Sequence, residues 1–245
     1  MSAPRIVRHA AVDSTNERAF AALAAGAARH RDVHVAAAQT AGRGSRGRGW
    51  DSPAGAGLYA SVVLLPAPPA PPPAALTMAA GLAVRDLLLA LGLAAARLKW
   101  PNDVLLGGAK LAGILIEARG YDPARPAFVC GIGLNLAQRA FPPEVAARGA
   151  TSLALAGVEL APEQALELLL PRLDARLAEA SARPASLAAA FAQAAGLLEG
   201  PMRVLRGEQE LRGRIAAFGL AGLELATATE RVRIPLEHVT GVQPA

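Results

Sequence analysis

The sequence predicts an α/β domain followed by a small all-β unit, and three observations carry that reading. Strand-like apolar runs and helix-period segments alternate as far as Gly196. The last 49 residues then change to five short strand-like runs. Finally, 53% of the 245 residues are hydrophobic but only 4% aromatic and 18% charged. This is too apolar for disorder, and it requires a core made mostly of Ala, Leu and Val.

Taken in order, Glu17–Ala28 has apolar residues at 19, 20, 23 and 24, the spacing of a helix, with Ser14 or Thr15 as its N-cap. Val33–Ala38 and Gly57–Leu65 read as buried strands, with a glycine-rich loop from Gln39 to Asp51 between them. The proline run 66–73 fits neither a helix nor a central strand and is expected to be an exposed connector. Ala75–Leu91 is helical. Ala95–Trp100 is extended, and Asn102–Leu106 and Ala109–Glu117 flank Gly107-Gly108 as a hairpin. Ala127–Leu134 is a strand, and 162–180 and 184–195 are helices. The final short strands are 202–205, 208–216, 222–228, 231–234 and 237–239, a pattern that suits a small barrel.

Several classes are excluded or disfavoured. One cysteine, Cys130, rules out an internal disulfide framework, and its place in AFVCGIG marks a small buried hydrophobe, not a nucleophile. The N-terminus lacks a charged region followed by an apolar stretch, and the most apolar window, 74–96, carries Arg85 and Asp86 at its middle. A cytoplasmic protein without a membrane span is the expectation. The net charge of +5 invites a nucleic-acid partner. However, the last 49 residues balance six arginines with six glutamates, and the densest basic cluster is Arg43, Arg46 and Arg48 in one loop. This describes a local anion site, so DNA is not an expected partner.

Only two of the 25 basic residues are lysine, Lys99 and Lys110, and both fall in KWPNDVLLGGAKLAGIL. Where arginine otherwise supplies every positive charge, a retained lysine marks a place for a compact ammonium. QTAGRGSRGRGW (39–50) alternates glycines with arginines, so its backbone can approach a ligand and its N–H groups can cradle an anion. It is neither a Walker A loop nor a dinucleotide fingerprint, since no GK[ST] ends it and no helix follows. GIGLN (131–135) places glycines at a strand end, where a ligand can come close.

Six ordered segments resemble the biotin–protein ligases: DSTN (13–16), QTAGRG with GRGW and SP (39–53), GLYASV (57–62), KWPND (99–103), GAKLAGILIE (108–117) and GIGLN (131–135). The resemblance implies a mixed sheet with flanking helices as a catalytic unit over 1–196, and a small SH3-like barrel over 197–245. It implies activation of biotin by ATP, with Mg²⁺, as biotinyl-5′-AMP. A lysine of a biotin carboxyl carrier domain of a biotin-dependent carboxylase then receives the biotinyl group, and family members occur as monomers and homodimers. By the same resemblance, Ser14, Thr15, Asn16, Gln39, Gly42, Gly44, Ser45, Gly113 and Leu115 surround biotin. Arg43 and Lys110 serve both biotin and the phosphate, and Arg46, Arg48, Trp50, Lys99 and Asn135 surround the adenylate. Arg43, Lys110 and Asp103 are the catalytic candidates, Lys110 bridging two anions and Asp103 orienting or deprotonating the incoming amine. Metal ligands are not legible.

One departure stands out: Ser45 occupies a position where the family often has arginine, so the loop loses a side-chain cation. A lipoate- or octanoate-transferring relative is the alternative enzyme. A biotin-responsive DNA-binding regulator is the alternative from another class, and it needs a helix-turn-helix for which the 13 residues before Ser14 are too few. The C-terminal unit is expected to serve the carrier or ATP more than biotin, so a truncation near Glu199 is expected to keep measurable biotin binding, provided the core stays folded, and to lose carrier biotinylation.

Overall fold

A computed structural model describes residues 3–245. The strands are β1 (Ile6–Val12), β2 (Val33–Gln39), β3 (Gly57–Leu64), β4 (Ala96–Lys99), β5 (Asp103–Leu106), β6 (Ala109–Glu117), β7 (Phe128–Asn135), β8 (Pro201–Arg206), β9 (Gln209–Gly219), β10 (Gly222–Ala226), β11 (Arg231–Ile234) and β12 (Gly241–Pro244). The helices are α1 (Thr15–Ala24), α2 (Pro73–Ala90), α3 (Pro143–Ala146), α4 (Pro162–Ala182) and α5 (Pro184–Ala194).

Seven strands form one mixed sheet in the order β1-β2-β3-β7-β6-β5-β4. Only β1 and β2 run parallel, with α1 in the connection that a parallel pair requires. The remaining neighbours are antiparallel, β5–β6 through a tight turn with Gly107 at φ 58° and Gly108 at φ 85°. All eight residues of β3 are buried because helices and the site cover both faces. Leu58, Ala60, Val62 and Leu64 join the main core with α2 and α4, while Val63 packs against Ala19 and Phe20 of α1. Leu82, Leu87 and Leu88 of α2 are at most 1% exposed. Burying each contributes roughly 1.5–3 kcal/mol. Long and apolar enough to cross a membrane by composition, α2 instead lies mostly buried in this core.

The second sheet is antiparallel, in the order β11-β10-β9-β8-β12. Its apolar residues, including Val204, Leu223, Leu225 and Ile234, belong to the same core as α2. Trp100, from KWPND, donates its indole N–H to the Val239 carbonyl at 2.8 Å and packs edge-on against Phe191 and Phe218. Truncation near Glu199 would uncover Trp100 and Phe191, so the condition attached to that truncation, a core that stays folded, bears directly on this shared contact.

Other differences have local causes. The sequence reading missed β1, an edge strand whose run IVRHAAV shows no clean alternation and is held by parallel pairing to β2. Of residues 237–239, Glu237 and His238 belong to a 3₁₀ turn, Leu236–His238, after Pro235, and Val239 caps it, so the fifth strand is Gly241–Pro244. The connector ends one residue early, because Pro73 opens α2, where a missing N–H costs nothing. Cys130 is fully buried in β7, and burial pushes its thiol up to about 12, consistent with a packing role.

Candidate functional site

The sheet itself opens the site. One register row runs Tyr59–Gly133–Gly113–Asp103–Lys99 across β3, β7, β6, β5 and β4, and the next runs Ser61–Gly131–Leu115. Paired residues project to the same face, so glycines in the middle of these rows leave a floor flanked by polar side chains. Above it is a cavity of about 430 Å³. Trp50 and Asn16 occupy the space that the glycines provide. A Cβ on Gly133 would lie 2.4 Å from Trp50 Cε2, and one on Gly131 would lie 2.5 Å from Asn16 Oδ1.

One end of the cavity is neutral and tightly bonded. Ser14 occupies the N-cap position of α1 with extended backbone, but makes no side-chain capping bond, so the predicted capping does not occur. Its side chain lines the cavity instead. Thr15 N–H and Oγ1 both donate to Gln39 Oε1, at 2.8 and 3.1 Å, and Gln39 Nε2 donates to Ser52 Oγ at 2.8 Å. Ser61 Oγ lies 2.7 Å from Thr15 Oγ1 and 2.5 Å from Asn16 Oδ1. Ser14, Thr15, Asn16 and Ser61 are each at most 4% exposed. Such a network holds side-chain donors and acceptors in fixed directions.

The other end is charged. Lys110 and Gly113 are three residues apart, which in a regular strand puts them on opposite faces. A bulge between Val104 and Leu105 in the β5–β6 pairing corrects this and brings Lys110 to the glycine side. Lys110 Nζ lies 2.5 Å from Asp103 Oδ1, close in distance but poorly aligned for a hydrogen bond, and 5.3 Å from the Trp50 ring centroid. The Lys110 backbone is clamped from both sides: its N–H donates to the Gly149 carbonyl at 2.6 Å, and its carbonyl accepts from Thr151 N–H at 2.9 Å. Asn135 Nδ2 donates to the Thr151 carbonyl at 2.9 Å, so the strand end after GIGLN braces the same clamp.

The glycine/arginine loop forms the rim. It closes on itself through an Arg43–Gly49 bridge and a 2.7 Å bond from Gly44 N–H to the Arg48 carbonyl. Its tip is a 3₁₀ turn with Arg46 at φ 60° and Gly47 at φ 71°. Gly42 lies behind the cavity wall, and a Cβ there would meet the Trp50 carbonyl at 2.3 Å. The loop's cations already have partners. Arg43 is ion-paired with Glu17 and Glu117, Arg46 donates to the Thr240 carbonyl, and Arg48 donates to Ser45. Hydrogen bonding from Arg119 and the nearby charge of Arg43 hold the Glu17 carboxyl below the usual range.

The cavity wall therefore gathers Ser14, Thr15, Asn16, Gln39, Arg43, Gly44, Ser45, Arg48, Trp50, Lys99, Asp103, Lys110, Gly113, Leu115 and Asn135. Gly42 and Arg46 are not part of it. Sequence reasoning missed Ser61, which a serine among apolar strand neighbours could have signalled, and Glu117, which ends GAKLAGILIE and accepts from Asn16 Nδ2 at 2.7 Å. It also missed Phe141, Val145 and Arg148, which reach the cavity from a segment without a sequence motif.

The sequence profile of the biotin/lipoate A/B protein ligase family matches residues 9–135, the stretch that carries both ends of the cavity. The chain belongs to this family. Over 175 residues it is 44% identical to the biotin–[acetyl-CoA-carboxylase] ligase of Paracoccus denitrificans, covering 66% of this chain and 68% of that one. It is 38% identical over 168 residues to the bifunctional ligase/repressor BirA of Salmonella typhimurium, covering 68% of this chain. The match spans about half (51%) of that relative's length. Among solved structures, the biotin protein ligase of Aquifex aeolicus in complex with biotin and ATP superimposes with a TM-score of 0.80 at 27% identity, covering 98% and 99% of the two chains.

Proposed function

We propose that this chain is a biotin–protein ligase that activates biotin with ATP and transfers it to a lysine of a biotin carboxyl carrier domain, that of acetyl-CoA carboxylase by likeness to the relatives' names. One observation carries the proposal: a single cavity joins a neutral, hydrogen-bonded end to a cationic end across a glycine floor. An uncharged ureido ring bearing a carboxylate needs that combination, since its ring wants oriented donors and acceptors and its carboxylate must meet a phosphate. The hydroxyl- and amide-lined end favours this over an alkyl chain such as octanoate, which would leave those groups unpaired.

In the first step a carboxylate oxygen of biotin attacks the α-phosphorus, the bond to the bridging oxygen breaks, and pyrophosphate leaves with the electron pair. Lys110 sits where two anions must converge, and its ammonium offsets their repulsion while the clamped backbone holds it in place. Asp103 holds Lys110 before substrates arrive. Once Lys110 turns to the anions, Asp103 can accept the proton of the carrier's amine as that nitrogen attacks the mixed anhydride and AMP departs.

Mg²⁺ fits as part of Mg·ATP. Among the described residues no three His, Cys, Asp or Glu side chains cluster into a ready-made cage. The wall does offer single carboxylates, Asp51 and Asp103, and a magnesium ion held largely by phosphates and water uses few protein ligands. We assign the work of activation to 1–196 and place the 197–245 unit at the carrier-facing side, in a reducing cytoplasm that suits the lone thiol. Biotin-dependent ATP–pyrophosphate exchange tests the activation step. Exchange with biotin and none with lipoate or octanoate is expected, and the reverse preference would favour the relative of the same fold.

A further inference from the structure

On the ligase reading above, we infer that two glutamates outside the cavity divide the handling of Arg43. Glu117 is a positioning residue that fixes the guanidinium, and Glu17 is a temporary partner that yields one arm of it to the phosphates of ATP. Arg43 lines the cavity, whereas neither glutamate does. Arg43 Nη2 donates to Glu117 Oε1 and Nη1 donates to Glu17 Oε1. The planar fork therefore spans a carboxylate at the end of β6 and one in the first turn of α1.

The two carboxylates differ in what each retains when Arg43 lets go. Glu17 also accepts from both arms of Arg119, at 2.9 Å from Nη1 and 2.5 Å from Nη2, and Arg119 lies over the Phe20 ring at 4.1 Å. Without Arg43, Glu17 stays paired and keeps 29% of its side chain open to water. Glu117 is more enclosed, at 18%, and its other side-chain hydrogen bond comes from Asn16 Nδ2 at 2.7 Å. Arg119 feels the Glu117 charge but donates to Glu17. Taking Arg43 from Glu117 would leave a half-buried carboxylate on one neutral amide, and that is the costlier change. Asn16 is itself fixed, with Oδ1 2.5 Å from Ser61 Oγ and pressed onto Gly131 of the floor. Glu117 thus stands on the buried network of the neutral end, and Arg43 pivots from it. When Nη1 exchanges Glu17 for a phosphate oxygen, one charge-assisted pair replaces another while Nη2 stays seated. Lys99 and Lys110 line the same cavity, so a misplaced Arg43 weakens ATP binding without abolishing it.

The test measures the ATP KM by biotin-dependent pyrophosphate exchange and the biotin Kd by titration calorimetry. It compares wild type, Glu117→Gln, Glu17→Gln, Arg43→Gln and the double variant of Arg43 and Glu117. Glutamine at 117 still accepts from Asn16 but offers Arg43 no charge. Glu117→Gln should raise the ATP KM about three- to tenfold and shift the biotin Kd by less than about twofold. Glu17→Gln should act in the opposite direction, lowering the ATP KM about twofold, because the competitor for that arm has lost its charge. Since Glu117 acts through Arg43, adding Glu117→Gln to Arg43→Gln should raise the ATP KM no further. Glu117→Asp, which keeps the charge with a shorter reach, should fall between wild type and the amide, and it replaces the amide in these comparisons if the amide variant does not fold. An unchanged ATP KM in Glu117→Gln, or failure of Glu17→Gln to lower it, would overturn the inference. Additive losses in the double variant, or a biotin loss as large as the ATP loss, would also overturn it by showing that Glu117 only supports the wall. If wild type itself catalyses no biotin-dependent exchange, the ligase reading fails, and that outcome appears before any variant is compared.

Discussion

The two ends of the cavity are built on opposite plans. The neutral end is buried, and Thr15, Gln39, Ser52, Ser61 and Asn16 bond mainly to one another. The charged rim is partly exposed: Arg43 keeps 38% of its side-chain surface accessible and Lys110 keeps 29%. A network of fixed dipoles discriminates by geometry, and misplacing one member leaves others unpaired. Ion pairs at a wet rim are weak and exchangeable, so incoming phosphates can replace carboxylates as partners. On the proposed reading, the difference teaches that recognition is preorganised where the ligand is uncharged and exchangeable where it is anionic.

Substitutions can break this contrast. Lys110→Ala should have the largest effect, lowering adenylate formation about 10²–10³-fold by removing the charge at the reacting phosphate. Its biotin affinity should fall far less, and titration calorimetry beside pyrophosphate exchange would separate the two. Gly133→Ala should come next. The added Cβ would be 2.4 Å from the Trp50 indole. It must therefore expel the ring or strain the floor, at a cost of about 1–3 kcal/mol. A lowered melting temperature or a shifted tryptophan emission would report it, and wild-type values in both would show that the indole does not rest on the floor. Thr15→Val should be mildest, weakening biotin about tenfold through unpaired partners at Gln39 and Ser61 while leaving the KM for ATP alone. An ATP effect as large as the biotin effect would mean that the two ends are not independent.

How much could be read from the sequence follows the same division. The glycine-rich loop, KWPND and GIGLN were visible because glycine, proline and isolated lysines mark backbone demands that few other residues satisfy. Most strands followed from runs such as GLYASVVL, which bury both faces. The bulge that turns Lys110 toward Gly113 was not legible, since register is settled by pairing across strands and not within one. Arg148 was equally hidden, because its segment reaches the cavity wall beside a bridge between Ala150 and Lys110, 40 residues apart in sequence. The intimacy of the two sheets depends on Trp100 reaching Val239, a contact that no local pattern encodes.

The central claim is that one cavity joins biotin to a phosphate and then to a carrier lysine. Its most direct test incubates the full chain with biotin, Mg·ATP and a biotin carboxyl carrier domain, followed by mass spectrometry of the intact carrier. The account predicts that the carrier gains one biotinyl group at its acceptor lysine, dependent on ATP and absent with Lys110→Ala. A carrier that stays unmodified by wild type, or is modified equally well without ATP, would contradict it.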